Sequence, residues 1–409
     1  MKIWIKYLAG VVLGAAIALV SQVSGGPLAD LAASLSDLAV RFGRYALYPV
    51  LFFSFTIGVY ELRESRSLLR LAAVTTVTII IATSALTVTG LLSVLIRNPS
   101  RIPIFVEGGA EVAGIGLLES LRQLFPSSGF EALGNGLFIL PLCVFGGFAG
   151  AGCAVDKNAS KATLTLFDSL SRVSYAVMSF FVDVLAIGMV AVSAHWAIQY
   201  RAMATSKVFT DFVGLLFANF LLVAFVVYPA ILRFACKKTN PYRVLYAAAA
   251  STLAAFFSGD ANMTLPVLLR HANESLGVRR RISSVTMPIF SIFGRAGTAM
   301  TVTMCFVVIL KSYSSLGVLF QDMVWLMGIS ILFSFFLGRF PSGGAYVALA
   351  AVCALYGRGF EAGYLILKPA AFFICSVAAA LDALTAIMGT YVVAHRYDMM
   401  NHRDLRFFI

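Results

Sequence analysis

The sequence predicts an all-α integral membrane protein, with eight transmembrane helices and two re-entrant helical hairpins, and three observations carry that expectation. Its 409 residues are 60% hydrophobic and 12% charged, where a soluble domain carries roughly a quarter charged residues. Mean hydropathy is +0.90, and several uncharged stretches reach the roughly 20 residues that a hydrocarbon core of about 30 Å requires. From Tyr242 onward, Gly, Pro and polar residues repeatedly cut apolar runs where a simple helix would continue. The alternating ten-residue pattern of a transmembrane β-barrel is not what this chain shows.

Six ordinary crossings come first, at 4–23, 43–61, 71–95, 132–154, 174–198 and 210–235. The charge of +12 collects in the short loops, where the positive-inside rule places it, so topology explains it and nucleic acid is not expected as a partner. Arg63, Arg66 and Arg70 precede a mixed loop with Glu107, Glu111 and Glu119; Lys157, Lys161 and Arg172 follow, then Arg233, Lys237, Lys238 and Arg243. This alternation predicts an inner or plasma membrane protein with both termini cytoplasmic. The six cysteines lack metal or disulfide spacing and read as packing residues.

The C-terminal half reads differently. Ala247–Phe257 is too short to cross and runs into Ser258-Gly-Asp-Ala-Asn-Met-Thr-Leu-Pro266, which predicts a first hairpin over about 242–275. Ile329–Phe340 meets Pro341-Ser-Gly-Gly344 in the same way, predicting a second hairpin over about 322–360. Such backbone is tolerated at membrane depth where it lines a cavity or is buried in protein. Between the hairpins a seventh helix, 283–311, is interrupted by Gly294-Arg-Ala-Gly-Thr298, and an eighth follows at 364–395. Interrupted segments in corresponding positions are the best sequence pointer to a transporter's binding site.

The charged residues of this region are the candidate site. Arg295, about ten residues inside a crossing, costs roughly 2.5–3.5 kcal/mol on insertion scales and needs a partner; Asp260 and Asp382 are the expected ones. Asp382 is the lone charge in Phe372–Val393 and shares a helix face with Cys375, Ala378 and Ala386. Asp260 and Asn262 at the first hairpin tip offer a carboxylate and an amide beside free backbone N–H groups, or form a simple turn. Arg339 either meets an anionic ligand or caps a helix C-terminus. Asp183 and His195 read as structural. No HExxH, Gly-x-Ser-x-Gly or P-loop constellation is present in the sequence, so neither an enzyme nor an ATP-driven pump is expected.

At this point the chain resembles the dicarboxylate/amino acid:cation symporter family, the glutamate transporter homologues, over essentially its whole length. Thr264-Leu-Pro-Val267 is similar to that family's TLPV after a serine-rich tip, and Pro288 with Gly294-Arg-Ala-Gly-Thr298 stands where the family has P…NMDGT. Gly389-Thr-Tyr-Val-Val-Ala394 resembles GTAIVA, Pro341-Ser-Gly-Gly344 resembles PGAG, and Tyr48-Pro-Val-Leu-Phe-Phe53 resembles a P-L-x-F stretch. The resemblance implies a fold with inverted repeats, a homotrimer, and an elevator mechanism. Residues 1–70 and 96–200 would form the scaffold and trimerisation domain, 71–95 and 201–409 the transport domain.

It also implies a substrate site of Asp260, Ala261, Asn262, Arg295, Thr298, Arg339, Pro341, Ser342, Gly343, Gly344, Ala378 and Asp382, and an ion or proton site of Gly294, Ala296, Asp382 and Ala386. The departures matter as much. Gly294 and Ala296 replace the family's sodium-binding Asn and Asp, and Ala386 replaces an eighth-helix Asp. The family's substrate-binding Asp, Arg and Asn fall on Cys375, Ala378 and Asp382. The expectation is therefore secondary transport of a small polar, anionic organic solute, without cofactor. Sodium coupling would be weakened or lost, Arg295 would stand in for a cation, and a proton on Asp382 or Asp260 is the other candidate coupling ion. An ordinary sodium symporter, an anion channel and a non-transporting sensor on the same fold stay open as alternatives.

Overall fold

Apolar stretches broken by proline and glycine give long helices with defined interruptions, as a computed structural model covering residues 2–20, 27–97, 99–103, 122–134, 138–205, 207–236, 240–313, 319–401 and 403–409 shows. In chain order the main helices are α1 Ile3–Val20, α2 Pro27–Tyr45, α3 Leu47–Glu64, α4 Leu68–Ile96, α5 Leu140–Cys153, α6 Lys157–Ala204 and α7 Thr210–Ala235. Then follow α8 Pro241–Ser258, α9 Ala261–Arg270, α10 Arg280–Phe293, α11 Ala296–Tyr313, α12 Phe320–Ser334, α13 Gly344–Tyr356 and α14 Ala371–Arg396. Among the described residues, seven helical spans are long and apolar enough to cross a membrane.

Several expected boundaries shift, for local reasons. Helix begins at residue 27, not 43, and α2 runs into α3 with a single turn at Ala46. Pro49 causes that break, because its ring clashes with the carbonyl four residues back, that of Tyr45. The polar spacing of Asp30, Ser34, Asp37 and Arg41 lowers the hydropathy of α2 below that of an ordinary crossing, which hides it in the sequence. The expected fourth crossing, 132–154, contains α5 at 140–153 and overlaps only the end of a short helix Gly129–Gly134; fourteen residues extend only about 21 Å. The fifth, expected at 174–198, is the middle of a 48-residue α6, started by Asp156, whose carboxylate accepts from Asn158 N and Ala159 N at 3.1 and 3.0 Å. In α7, a π-helical turn at Val223–Val227 absorbs Pro229. Glu107, Glu111, Glu119, Lys237 and Lys238, used above for topology, lie outside the described residues.

Two packing neighbourhoods are joined by α3, which packs on both α6 and α10. In the N-terminal group, α1 and α2 lie along α6, and α1 comes so close that a Cβ on Gly10 would stand 2.6 Å from the Ala186 carbonyl oxygen. In the C-terminal group, α11 packs on α4 and α14, and α8 on α14. In an apolar 18-residue stretch of each span, 94% of the residues are buried in 280–313 and 78% in 363–396, against 33% in α1 and in α6. The interrupted helix and the last helix are therefore the interior of the molecule. Cys143, Cys236, Cys305 and Cys353 are buried thiols in this packing.

Candidate functional site

The interruption at Gly294-Arg295 is the centre of the candidate site. The backbone leaves helical geometry at Gly294 (φ −85°, ψ 43°), and α11 restarts at Ala296, so the first N–H groups of α11 lack intrahelical partners. Asp382, on the neighbouring α14, supplies one: Thr298 N donates to its Oδ1 at 3.0 Å and Thr298 Oγ1 to its Oδ2 at 2.6 Å. A carboxylate 84 residues away thus caps α11. This approach needs Gly297, where a Cβ would lie 2.7 Å from the Ala378 carbonyl oxygen and 2.3 Å from Leu381 Cβ. Ala378, Ala386 and Ala296 are buried around the break, 2%, 2% and 0% exposed.

Arg295 is held from two sides. Its Nε donates to the Ser291 carbonyl at 2.9 Å, and its Nη1 lies 3.9 Å from Asp382 Oδ2. Of its two expected partners, Asp382 is the one it pairs with. Asp260 belongs to a different pair: Arg44 of α2 donates from Nε to Asp260 Oδ1 at 3.1 Å and from Nη2 to Oδ2, a bidentate fork. The correction has a simple geometric cause, since Asp260 is the N-cap of α9, with Met263 N donating to its Oδ1 at 2.7 Å, and that cap faces α2.

The two tips meet. Gly259 (φ +62°) closes α8 and Gly343 (φ +72°) opens α13, both in the left-handed region that glycine occupies without strain. Ala261 N donates to the Pro341 carbonyl at 2.9 Å, and Asp260 and Ser342 form an antiparallel bridge. Between the tips and the break, Ile292 Cγ2 would stand 2.6 Å from a Cβ on Gly338. The second tip therefore lies against α10, two residues before the interruption.

Asp260, Asn262, Thr298, Arg295 and Asp382 are 1%, 2%, 2%, 4% and 6% exposed, so their polar groups are shut away from solvent, while Ser342 is exposed and Gly343 half-exposed at the rim. Arg339 is half-buried, its guanidinium carbon 5.7 Å from the centre of the Phe340 ring. Among the described residues no cluster of three His, Cys, Asp or Glu side chains that would hold a metal is found. Asp183 pairs with Lys6 at 2.8 Å and with Arg270 at 2.9 Å, and His195 lies 2.9 Å from Gln199 Nε2.

Comparison with known proteins decides the affiliation: the sequence pattern of the sodium:dicarboxylate symporter family matches residues 2–396. The chain belongs to that family. Serine/threonine transporters named SstT, from Acinetobacter baumannii strains ATCC 17978, SDF and AYE, are each 24% identical to it over 250 residues, covering 60% of this chain and 59% of the relative. The matched stretch thus spans about three fifths of the length of these relatives. Membership of the symporter family, together with seven apolar spans, makes this a multi-pass membrane protein.

Within this member of the symporter family, Arg44 is the site residue that sequence reasoning missed. Starting the second crossing at 43 put Arg44 at a membrane boundary, where an arginine is ordinary. Read as one interrupted helix from 27 to 64, the same residue lies well inside an apolar span rather than at its end, and a charge in such a place calls for a named partner.

Proposed function

We propose that the chain is a secondary transporter that moves a small polar organic solute, an amino acid or a dicarboxylate, across the inner or plasma membrane, with both termini cytoplasmic. The observation that carries this reading is the Arg295–Asp382 pair at 3.9 Å in an interrupted, largely buried span, beside two glycine-turned tips joined through Ala261 and Pro341. Family membership and the relatives' names support it. α8–α9 and α12–α13 then act as the two re-entrant hairpins, and transport proceeds as an elevator in a homotrimer. The packing of α4 on α11, so close that a Cβ on Gly90 would stand 2.6 Å from Met300 Cγ, supports assigning 71–95 to a mobile unit with 201–409, against a scaffold of 1–70 and 96–200.

In this reading Arg295 takes the place of a mobile cation. Its guanidinium already neutralises Asp382, and Gly294, Ala296 and Ala386 offer no side-chain oxygen, so sodium coupling is weakened or lost. The second buried pair, Arg44–Asp260, leaves these four charges balanced. That balance favours a zwitterion over a doubly charged anion, in keeping with relatives named for serine and threonine.

Thermal stability of the purified protein tests this in sodium, potassium and choline chloride, each with serine, threonine, aspartate and succinate. A ligand that binds only the folded state raises Tm by mass action. Stabilisation by an amino acid to the same extent in all three salts is expected. A requirement for sodium would return Arg295 to a structural role and make this an ordinary sodium symporter. Saturable counterflow in proteoliposomes separates a carrier from a channel or a sensor.

A further inference from the structure

The returning arm of the first tip, α9, carries an ion pair at each end, and both cross to the N-terminal helices. At its start Asp260 is gripped by Arg44 of α2. At its end, about 15 Å along the helix at 1.5 Å per residue, Arg270 Nη1 lies 2.9 Å from Asp183 of α6 and 2.9 Å from the Ser179 carbonyl. The two clasps differ in what would remain if they parted. Asp183 keeps Lys6 of α1 at 2.8 Å, and Arg270 keeps Glu274 of its own segment at 3.4 Å. Each base partner therefore stays neutralised within its own group of helices. At the tip the reserve is smaller: among the described residues Asp260 is the only ion-pair partner of Arg44, the Asp260 side chain is 1% exposed, and Arg295, the other guanidinium that feels the Asp260 charge, is already paired with Asp382. Parting the tip strands a buried carboxylate, which is strongly unfavourable unless another positive group replaces the lost one.

We propose that Arg44–Asp260 is an ionic latch holding the first hairpin against the N-terminal helices, and that the hairpin leaves only when a monovalent cationic group takes Arg44's place on Asp260. The proposal rests on the transporter reading in one respect, that the hairpin moves relative to α2. It makes Arg44 a positioning residue that competes with the incoming group. Two sources share the required chemistry, the ammonium of an amino acid substrate and a free alkali cation. The base clasp then serves as a hinge-side contact that reforms without a replacement partner, and the tip becomes the step that ties movement to occupancy.

Amide hydrogen exchange across residues 258–264 of the full-length protein in detergent reads the latch without requiring transport. Arg44→Met is expected to speed exchange there at least tenfold while 268–275 stay protected, because tip protection reports the local opening equilibrium. Asp260→Asn keeps an acceptor for Met263 N and loses the charge; it is expected to speed exchange comparably, and the double variant Arg44→Met with Asp260→Asn no further than either single change. Arg44→Gln removes the charge but keeps a polar side chain and serves if Arg44→Met fails to fold; it too is expected to speed exchange there about tenfold. Exchange in Arg44→Met within about twofold of the parent, or a double variant in which the two single effects simply multiply, overturns the latch.

The source of the cation is read in Arg44→Met, where Asp260 is left without its guanidinium. Renewed protection by sodium chloride over choline chloride assigns an alkali cation. Protection by serine in choline chloride, but not by succinate, assigns the substrate's ammonium. Protection by neither overturns the replacement step. A parent protein inert in counterflow for every solute would remove the transporter reading and leave the exchange result standing, so the two fail separately.

Discussion

Thr298 donates to both oxygens of Asp382, from its backbone N–H at 3.0 Å and its hydroxyl at 2.6 Å, and so the last helix caps the helix that restarts after the break. This gives Asp382 two duties, satisfying the orphan donors of α11 and balancing Arg295. Asp382→Ala removes both, leaving a buried guanidinium and two unpaired donors, a class of change that costs on the order of 3–5 kcal/mol. Asp382→Asn keeps an acceptor for Thr298 and loses only the charge. Thermal denaturation of the purified variants should show the alanine clearly less stable than the asparagine. Equal losses would mean that the charge alone matters and that the cap contributes nothing.

The closeness of α11 and α14 at this point sets a second expectation. Gly297→Ala places a methyl 2.3 Å from Leu381 Cβ and 2.7 Å from a backbone oxygen, neither of which can swing aside, so overpacking should cost about 1–3 kcal/mol. At Gly343 the space is open and the obstacle is φ +72°, for which an alanine costs roughly 1 kcal/mol. Gly297→Ala should lower Tm more than Gly343→Ala. The reverse order would place the tight packing elsewhere.

Much of this architecture is legible in the sequence because interruptions are written in glycine and proline. Gly294 in a spanning run, Gly259 before Asp260 and Pro341-Ser-Gly-Gly344 each mark a place where the helix stops, and the structure stops there. What stays hidden is long-range pairing. Asp260 and Asp382 both sit near the break in any sequence reading, and nothing in their spacing tells which arginine each meets. Arg44 lies 216 residues from Asp260, in a helix whose polar residues disguise it. A similar blindness affects α6, whose polar first turns, Lys157 to Arg172, conceal that one continuous helix extends far beyond the apolar core.

The junction of the tips can be tested covalently. Bridged antiparallel residues lie about 4.5–5.5 Å apart at Cα, within the range that a disulfide spans. The double variant Ala261→Cys with Pro341→Cys, the opposed pair next to the Asp260–Ser342 bridge and joined by Ala261 N to the Pro341 carbonyl at 2.9 Å, should cross-link on mild oxidation. The cross-linked protein should lose counterflow and regain it on reduction. Oxidation that joins the two cysteines without affecting counterflow would show that the tips need not part during the cycle.

At the far end of α9, Asp183 holds two cations, Lys6 at 2.8 Å and Arg270 at 2.9 Å, and Arg270 is the more buried of the two, its side chain 12% exposed against 33% for Lys6. Asp183 is itself 36% exposed, so solvent screens the pairs and each is worth at most about 1 kcal/mol. Lys6→Met leaves Asp183 with Arg270 and Arg270 with Glu274 at 3.4 Å, so little should change. Asp183→Asn sets two positive charges side by side with no carboxylate between them, and Tyr7, whose hydroxyl donates to the adjacent Val182 carbonyl at 2.9 Å, packs directly beneath. Asp183→Asn should therefore lower Tm measurably, by the equivalent of about 1 kcal/mol, and Lys6→Met by less than half of that. Added salt should narrow the gap, since screening weakens partly exposed pairs. A Lys6→Met variant as unstable as Asp183→Asn would show that Lys6, not Arg270, is the partner that matters, and that Arg270 contributes little to holding the base of α9.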